Sequence, residues 1–381
     1  MPEARRDPLT GRWVILAPDR AARPDTVTDG RAPRPGEAEP TGDPTRDCPF
    51  CPGHEDRTPP EIARTGTGPP GRPGWRVRVV PNRYPLVDGP PSAAGDAGPT
   101  GVAGDVLRHG RPATGAHEVV VLSPDHHSTL AHLDDDQVRE VVTMLRDRVR
   151  AHSAAGHAYT QVFVNQGAGG GASIAHPHAQ VVAVDLDPPN VAGELDELEA
   201  TAVDAEGGGP CILCDEITRH RGDAELAVVV DPGGGDVWCP WWSATGFELL
   251  VAPVRHRPRF EDVGEDGELA ALARVLRDGL ARLGATLDDP AYNLAVHSLP
   301  AGRPAAGAAA RYHWHVHVWP RLQQDAGFEL GAGVRVTTVD PADAAARLRG
   351  GSPPSPGTGA AGNGTGGRPD APTSPGPAGR G

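Results

Sequence analysis

Four features recur in the same order along this chain, and their recurrence restricts the fold more than any single motif. Cys48-Pro49-Phe50-Cys51 is answered by Cys211-Ile212-Leu213-Cys214. The apolar run Glu118-Val119-Val120-Val121-Leu122 leads into Ser123-Pro124-Asp125-His126. Phe247-Glu248-Leu249-Leu250-Val251 leads likewise into Ala252-Pro253-Val254-Arg255-His256. An amphipathic helix is predicted after each. Val138, Val141, Val142, Leu145 and Val149 fall at helical spacing in the first, and Leu269, Leu272, Val275, Leu276, Leu280 and Leu283 in the second. Each helix leads to a strand with paired histidines, His176/His178 and then His315/His317. The offset of roughly 130–160 residues is too long for a solenoid repeat. The pattern predicts two related α+β halves, residues 1–190 and 191–349. Residues 350–381 are almost all Gly, Pro, Ser, Thr and Ala. They carry too little apolar bulk to offset chain entropy, and a disordered tail is expected.

The strongest chemical signal is His176-Pro177-His178-Ala179-Gln180, which follows the Gly-rich run Asn165 to Ser173. Pro177 argues against a helix interior. In an extended segment, residues two apart share a face. His176 and His178 are therefore expected to project toward one site, beside a loop whose backbone can approach a phosphate closely. That combination points to phosphoryl or nucleotidyl chemistry. A second cluster, Tyr312-His313-Trp314-His315-Val316-His317-Val318-Trp319, alternates strictly. His313, His315 and His317 are expected on one strand face. Three aligned imidazoles each need a partner when buried, which favours metal ligation or phosphate chemistry. His297 is a candidate to join them.

Cys48 and Cys51 can reach one tetrahedral ion, and zinc then needs two more ligands, for which His126 and His176 are candidates. A redox pair or unrelated buried thiols remain alternatives at this level. Cys211 and Cys214 pose the same choice, and Cys239 reads as a small buried residue. Asp134-Asp135-Asp136 suits a helix N-terminus, where negative charge favours the dipole. Residues 1–20 read as a turn and a strand, while 21–46 and 88–113 read as loops.

All 36 basic residues are arginine, and the net charge is −14. That balance argues against general nucleic-acid binding and against an anionic membrane surface. A phosphate-handling protein of this charge must concentrate arginines locally. No signal-peptide pattern or membrane-length apolar run stands out, and the cysteine spacing does not suggest a disulfide framework. A cytoplasmic protein is expected.

With these motifs assembled, the sequence resembles the galactose-1-phosphate uridylyltransferase family, the nucleotidyltransferase branch of the histidine-triad superfamily. The resemblance covers about residues 5–349. It rests on Asp7-Pro8-Leu9-Thr10-Gly11-Arg12-Trp13-Val14, Cys48-x-x-Cys51, Pro81-Asn82-Arg83-Tyr84-Pro85, Ser123-Pro124-Asp125-His126, the run from Asn165 to Gln180, and His315-x-His317-x-x-Pro320. It implies two tandem histidine-triad-like halves, each an antiparallel sheet with flanking helices, in a homodimer. It also implies a ping-pong reaction on a nucleotide sugar and a sugar 1-phosphate. His178 attacks the α-phosphorus of UDP-glucose, glucose 1-phosphate leaves as a uridylyl-histidine forms, and galactose 1-phosphate then attacks the same phosphorus to give UDP-galactose and the free histidine.

By the same resemblance, Cys48, Cys51, His126 and His176 hold zinc. Glu194, His297, His315 and His317 match a second site for iron or zinc. Asn165, Gly171, Ser173 and Gln180 line the phosphate site, and Arg20, Arg23 and Asn82 help bind the nucleotide. Gln180 stands where histidine-triad hydrolases carry a third histidine. A neutral amide can hydrogen-bond a phosphate oxygen but cannot do acid–base work near neutral pH. Phe328 and Glu329 resemble the sugar-recognition region. Arg335, however, replaces an expected glutamine that contacts the sugar phosphate, so ADP-glucose phosphorylase stands as the alternative activity. By strict analogy with the first half, Cys211, Cys214, His256 and His315 form a competing metal set, which cannot share His315 with the Glu194 site.

Overall fold

Val-rich runs dominate the strands and a 3.6-residue apolar stripe marks the long helices, as the sequence periodicities require. The architecture comes from a computed structural model that describes residues 3–6, 13–16, 44–91, 110–186, 188–203, 211–265, 267–301 and 306–350. In chain order the strands are β1 (Glu3–Arg6), β2 (Trp13–Leu16), β3 (Ala63–Gly66), β4 (Trp75–Pro81), β5 (Gly110–Pro112), β6 (Gly115–Val121), β7 (Tyr159–Gln166), β8 (His178–Val184), β9 (Ala227–Asp231), β10 (Gly235–Trp238), β11 (Leu249–Pro253), β12 (Tyr292–His297) and β13 (His315–Pro320). The helices are α1 (Asp135–Ala154), α2 (Pro189–Val203), α3 (Ile212–Gly222), α4 (Glu268–Leu287), α5 (Ala306–Arg311), α6 (Gly327–Ala332) and α7 (Pro341–Leu348).

Among the described residues, three strands form a small sheet in the order β2-β1-β5. The other ten form one antiparallel sheet in the order β3-β4-β6-β8-β7-β12-β13-β11-β10-β9. The α+β class and the antiparallel pairing are those the sequence predicts. The sheet is continuous: β7 pairs with β12, with Asn165 opposite Asn293. Strand β8 lies between β6 and β7, and β13 lies between β11 and β12. The two histidine-bearing strands thus hold mirrored places on either side of the β7–β12 seam.

One face of the large sheet carries α1 and α4. Val138, Val141, Val142, Leu145 and Val149 of α1 and Leu269, Leu272, Leu276, Leu280 and Leu283 of α4 share a core with Val120, Val164, Ala179, Val181, Val316 and Val318. Each such buried aliphatic contributes roughly 1.5–3 kcal/mol. Asp134 caps α1 by accepting from the Gln137 N–H at 2.7 Å, as its acidic start suggests. Arg146 of α1 is fully buried and donates to the Val263 carbonyl at 3.1 Å, which ties the helix to the loop before α4.

Strand alternation then dictates where function can sit. Ala179, Val181, Val316 and Val318 face the helices, so His178, Gln180, His315 and His317 face the other side. Phe50, Trp75, Val80, Val119 and Val121 build a smaller apolar cluster there. Among the described residues, no helix is long and apolar enough to cross a membrane. The expected loop at 21–46 and tail at 350–381 lie almost wholly outside the described residues, as does most of 88–113.

Candidate active site and metal clusters

His178 heads β8 and is 8% exposed. Its Nδ1–H donates to the His176 carbonyl at 2.8 Å. In the neutral ring that bond places the proton on Nδ1 and leaves the lone pair on Nε2. His178 lines a cavity of about 520 Å³, together with Pro49, Phe50, Arg57, Asn82, Arg83, Tyr84, Gly171, Ser173 and Gln180. Gly171, Ser173, Gln180 and Asn82 were all expected at the phosphate or nucleotide site, and the fold brings them together. Arg57 is a cation the sequence did not single out; it follows the cysteine knuckle by a single turn. Arg20 and Arg23 lie outside the described residues.

The Gly-rich loop owes its path to left-handed backbone at Gly167 (φ 72°) and Gly171 (φ 80°). At Gly170 a Cβ would sit 2.7 Å from the Tyr292 carbonyl oxygen, too close for any side chain. Asn165 is not among the cavity-lining residues. Its Oδ1 accepts from Asn293 Nδ2 at 2.9 Å, and the same Nδ2 donates to the Gly170 carbonyl at 2.7 Å. Asn165 and Asn293 face each other across the β7–β12 seam, so this pair clamps the loop from beneath. No local pattern marks Asn293; only the register reveals it.

Cys48, Cys51, His126 and His176 converge, with all four ligand atoms within 4.8 Å of one another. Cys51 Sγ lies 3.4 Å from His126 Nδ1 and 3.5 Å from His176 Nδ1. His176 Nε2–H donates to the Ser123 carbonyl at 2.7 Å, which leaves the Nδ1 lone pair aimed at the thiols. Burial pushes the His176 pKa down to about 4, so the ring is neutral, as ligation requires. The donor set fits a tetrahedral metal site. His176 itself is turned into this cluster and does not line the cavity; only His178 of the pair does. Phe50, between the two thiols, stands 5.4 Å from the His178 ring and 6.2 Å, edge-on, from His176.

Residues 194–317 hold two further clusters, and one of them corrects the sequence expectation. Cys211, Cys214 and His256 are completed by His313, not His315. Cys214 Sγ lies 3.4 Å from His256 Nδ1 and 3.5 Å from His313 Nδ1, and His256 Nε2–H donates to the Ala309 carbonyl at 3.0 Å. Strand β13 begins only at His315, so His313 lies before the ladder and does not follow its alternation. Its neighbour Trp314 is fixed in the main core, against Phe260 at 4.8 Å. The true counterpart of His176/His178 is therefore His313/His315. His315 Nδ1–H donates to the His313 carbonyl at 2.9 Å, as His178 does to His176. The expected competition for His315 disappears.

His315 is left to the other set, with Glu194, His297 and His317. His315 Nε2 and His317 Nε2 are 3.1 Å apart, and His297 Nδ1 lies 2.6 Å from a Glu194 oxygen. Burial alone would raise the Glu194 carboxyl, but the His297 and His315 imidazoles hold it far below the usual range. Tyr312 donates to the other Glu194 oxygen at 2.8 Å, and Glu248 accepts from His317 Nδ1 at 3.3 Å. Oriented imidazoles around an ionised carboxylate suit a divalent metal ion.

Phe328 and Glu329 sit on α6, where Phe328 is 60% exposed and a Glu329 oxygen accepts from the Ala326 N–H at 3.0 Å. Neither lines the cavity of its own chain. Arg335, nearby, pairs with Asp325.

Residues 76–188 match the family model for the N-terminal domain of galactose-1-phosphate uridyl transferase. The chain is 32% identical to ADP-glucose phosphorylase of Arabidopsis thaliana, over 91% of this chain and 92% of that protein. It is 28% identical to galactose-1-phosphate uridylyltransferase of Haemophilus influenzae, over 91% and 94%. Among solved structures, a uridylyltransferase superposes with a TM-score of 0.69 at 28% identity, covering 91% of this chain and 97% of that one. The Arabidopsis ADP-glucose phosphorylase with bound ADP-glucose superposes at 0.67 and 28%, covering 92% and 100%. Fold and relatives together define a nucleotidyltransferase-type enzyme. The chain belongs to the galactose-1-phosphate uridylyltransferase family.

Proposed function

We propose that this protein transfers a nucleoside monophosphate from a nucleoside diphosphate sugar to a phosphate-bearing acceptor, through a covalent adduct on His178. The carrying observation is the His178 ring, whose Nδ1 proton is given to the His176 carbonyl while the ring lines the cavity. In the first step His178 Nε2 bonds to the α-phosphorus. The P–O bond to the sugar phosphate breaks, and the hexose 1-phosphate leaves as a dianion that needs no proton. In the second step an acceptor phosphate oxygen attacks the same phosphorus and the N–P bond breaks. Backbone donors of the 167–173 loop, Ser173 and the Gln180 amide are assigned to the phosphoryl oxygens, with Arg57, Arg83, Arg20 and Arg23 as candidate cations.

Two donor–acceptor pairs fit this chemistry. ADP-glucose with inorganic phosphate is favoured by the 32% identity to the Arabidopsis phosphorylase along nearly the whole chain. UDP-glucose with galactose 1-phosphate, the exchange the motifs first suggest, is the second pair. Incubation with each nucleotide sugar followed by intact-mass measurement separates the donors. A chase with phosphate or galactose 1-phosphate then separates the acceptors. No adduct with either donor, or full turnover by His178→Gly, would overturn the assignment.

Zinc is assigned to the Cys48 set and, by the same donor chemistry, to the Cys211 set, with iron or zinc at the Glu194 set. A zinc ion at Cys48 would act as a cross-link that fixes the segment presenting His178. Two histidine-triad-like halves, 1–190 and 191–349, accord with the mirrored strand order. A homodimer is proposed together with the sugar-contact roles of Phe328 and Glu329. Both lie outside their own chain's cavity, so such a contact would be made across a subunit interface.

A further inference from the structure

We propose that His117 is a positioning residue that fixes which end of the Gln180 amide faces the bound phosphate. His117 is buried on β6, two residues before Val119, and Val119 is the strand partner of Gln180. The Leu86 N–H donates to His117 Nδ1 at 3.1 Å. Nδ1 must then carry a lone pair, and a neutral ring carries its proton on Nε2.

Two side-chain amides lie within 3.0 Å of that Nε2, Asn82 and Gln180. Asn82 already uses its oxygen to accept from the Tyr84 N–H at 2.9 Å, so its NH2 end meets the Nε2–H donor to donor and makes no hydrogen bond with it. The Gln180 oxygen is therefore the acceptor. With its carbonyl held this way, Gln180 presents its NH2 as a donor. The reversed amide would set a carbonyl oxygen against a phosphoryl oxygen, two acceptors in repulsion.

The second half repeats the device at the same register position. Leu250 is the strand partner of His317, as Val119 is of Gln180. Two residues before Leu250 stands Glu248, whose carboxylate accepts from His317 Nδ1. The polarity is inverted there, because the side chain to be oriented is an imidazole rather than an amide. In both places the residue two before the strand partner decides the hydrogen-bonding sense of its neighbour.

This inference rests on the nucleotidyl-transfer function proposed above, and the test separates the two. His117→Phe and His117→Gln are made in the native background and in Gln180→Ala. Adduct formation from ADP-glucose or UDP-glucose is timed by quenched intact-mass measurement, with melting as a folding control. His117→Phe is expected to slow adduct formation about 10- to 100-fold at saturating donor, with a smaller change in KM. His117→Gln, which keeps an N–H for the Gln180 oxygen, is expected to restore most of the rate and covers the case in which the Phe variant fails to fold. In Gln180→Ala, neither change is expected to slow the reaction further, since His117 acts only through that amide. Equal slowing in both backgrounds, or none in either, overturns the inference. Nitrogen-15 NMR of the imidazole tests it independently of turnover: a protonated Nδ1 on His117 sinks it. If the native enzyme forms no adduct, the transfer function fails before any His117 variant is compared.

Discussion

Phe50 stands 5.4 Å from His178, ring to ring, although it belongs to the cysteine knuckle and His178 to strand β8. The turn that gathers the thiols thus also supplies a wall beside the His178 ring. His176 closes the arrangement, since it gives its ring to the thiols and its carbonyl to His178. The Cys48 cluster and the His178 ring are thus joined through packing and one hydrogen bond rather than through shared side-chain donors.

Replacing Cys48 by Ser is therefore expected to lower bound zinc by about one equivalent per chain and to lower the melting temperature by several degrees, as loss of a structural metal site does. Adduct formation should fall as well, because Phe50 and the His176 carbonyl lose their anchor. Metal analysis and calorimetry check this; unchanged zinc content and melting would contradict it.

The assignment of His313 rather than His315 to the second cysteine cluster gives a paired test. His313→Ala and Cys214→Ser are each expected to lose the same metal equivalent. His315→Ala should retain that metal and disturb only the Glu194 set. Metal content per variant decides it, and loss of the cysteine-bound ion in His315→Ala would reverse the assignment.

Asn293→Ala removes both hydrogen bonds that hold Asn165 and Gly170. The Gly170 carbonyl loses its partner, at a cost of about 1–3 kcal/mol if the group stays buried. Adduct formation is expected to slow by about tenfold or more, because the loop relaxes away from the phosphate position. Rapid-quench kinetics with the melting temperature as control distinguish this from global destabilisation. A variant with native kinetics would show that the clamp is dispensable.

Glu118 offers a pH-dependent test of stability. Its carboxylate is 3% exposed and receives two hydrogen bonds from Arg148, at 2.6 and 2.7 Å. Burial pushes its pKa up, but hydrogen bonds from His152 and Arg148 outweigh this and hold it below the ordinary value. A carboxyl depressed in the folded state stabilises fully above its unfolded pKa, about 4.3, and loses that contribution as pH falls through the folded value. Glu118→Gln should thus be less stable than the native protein at pH 7, by about 1–3 kcal/mol. The gap should narrow below about pH 4. Urea midpoints measured across pH test this, and a gap that widens on acidification would refute it.

Much of the site could be read from local spacing. The extended His176-Pro177-His178 segment, the two cysteine knuckles, the Asp134 cap and the valine and leucine stripes of α1 and α4 all appear where a short-range pattern places them. Periods of 2 and 3.6 residues are properties of adjacent backbone, so they survive without knowledge of the fold. The chain's own order of residues thus settled the α+β class, the strand that bears His178 and the grouping of Cys48 and Cys51 with His126 and His176.

Choices between distant residues were not so encoded. That His313 joins the cysteines, that Asn165 serves a clamp with Asn293, that His117 faces Gln180 and that α6 stays away from its own cavity all depend on strand register and on which strand lies next to which. A shift of one residue in pairing exchanges the two faces of a strand and breaks every such contact. Register is fixed by burying the valine faces of the sheet beneath α1 and α4, a balance summed over the whole core that no single motif contains.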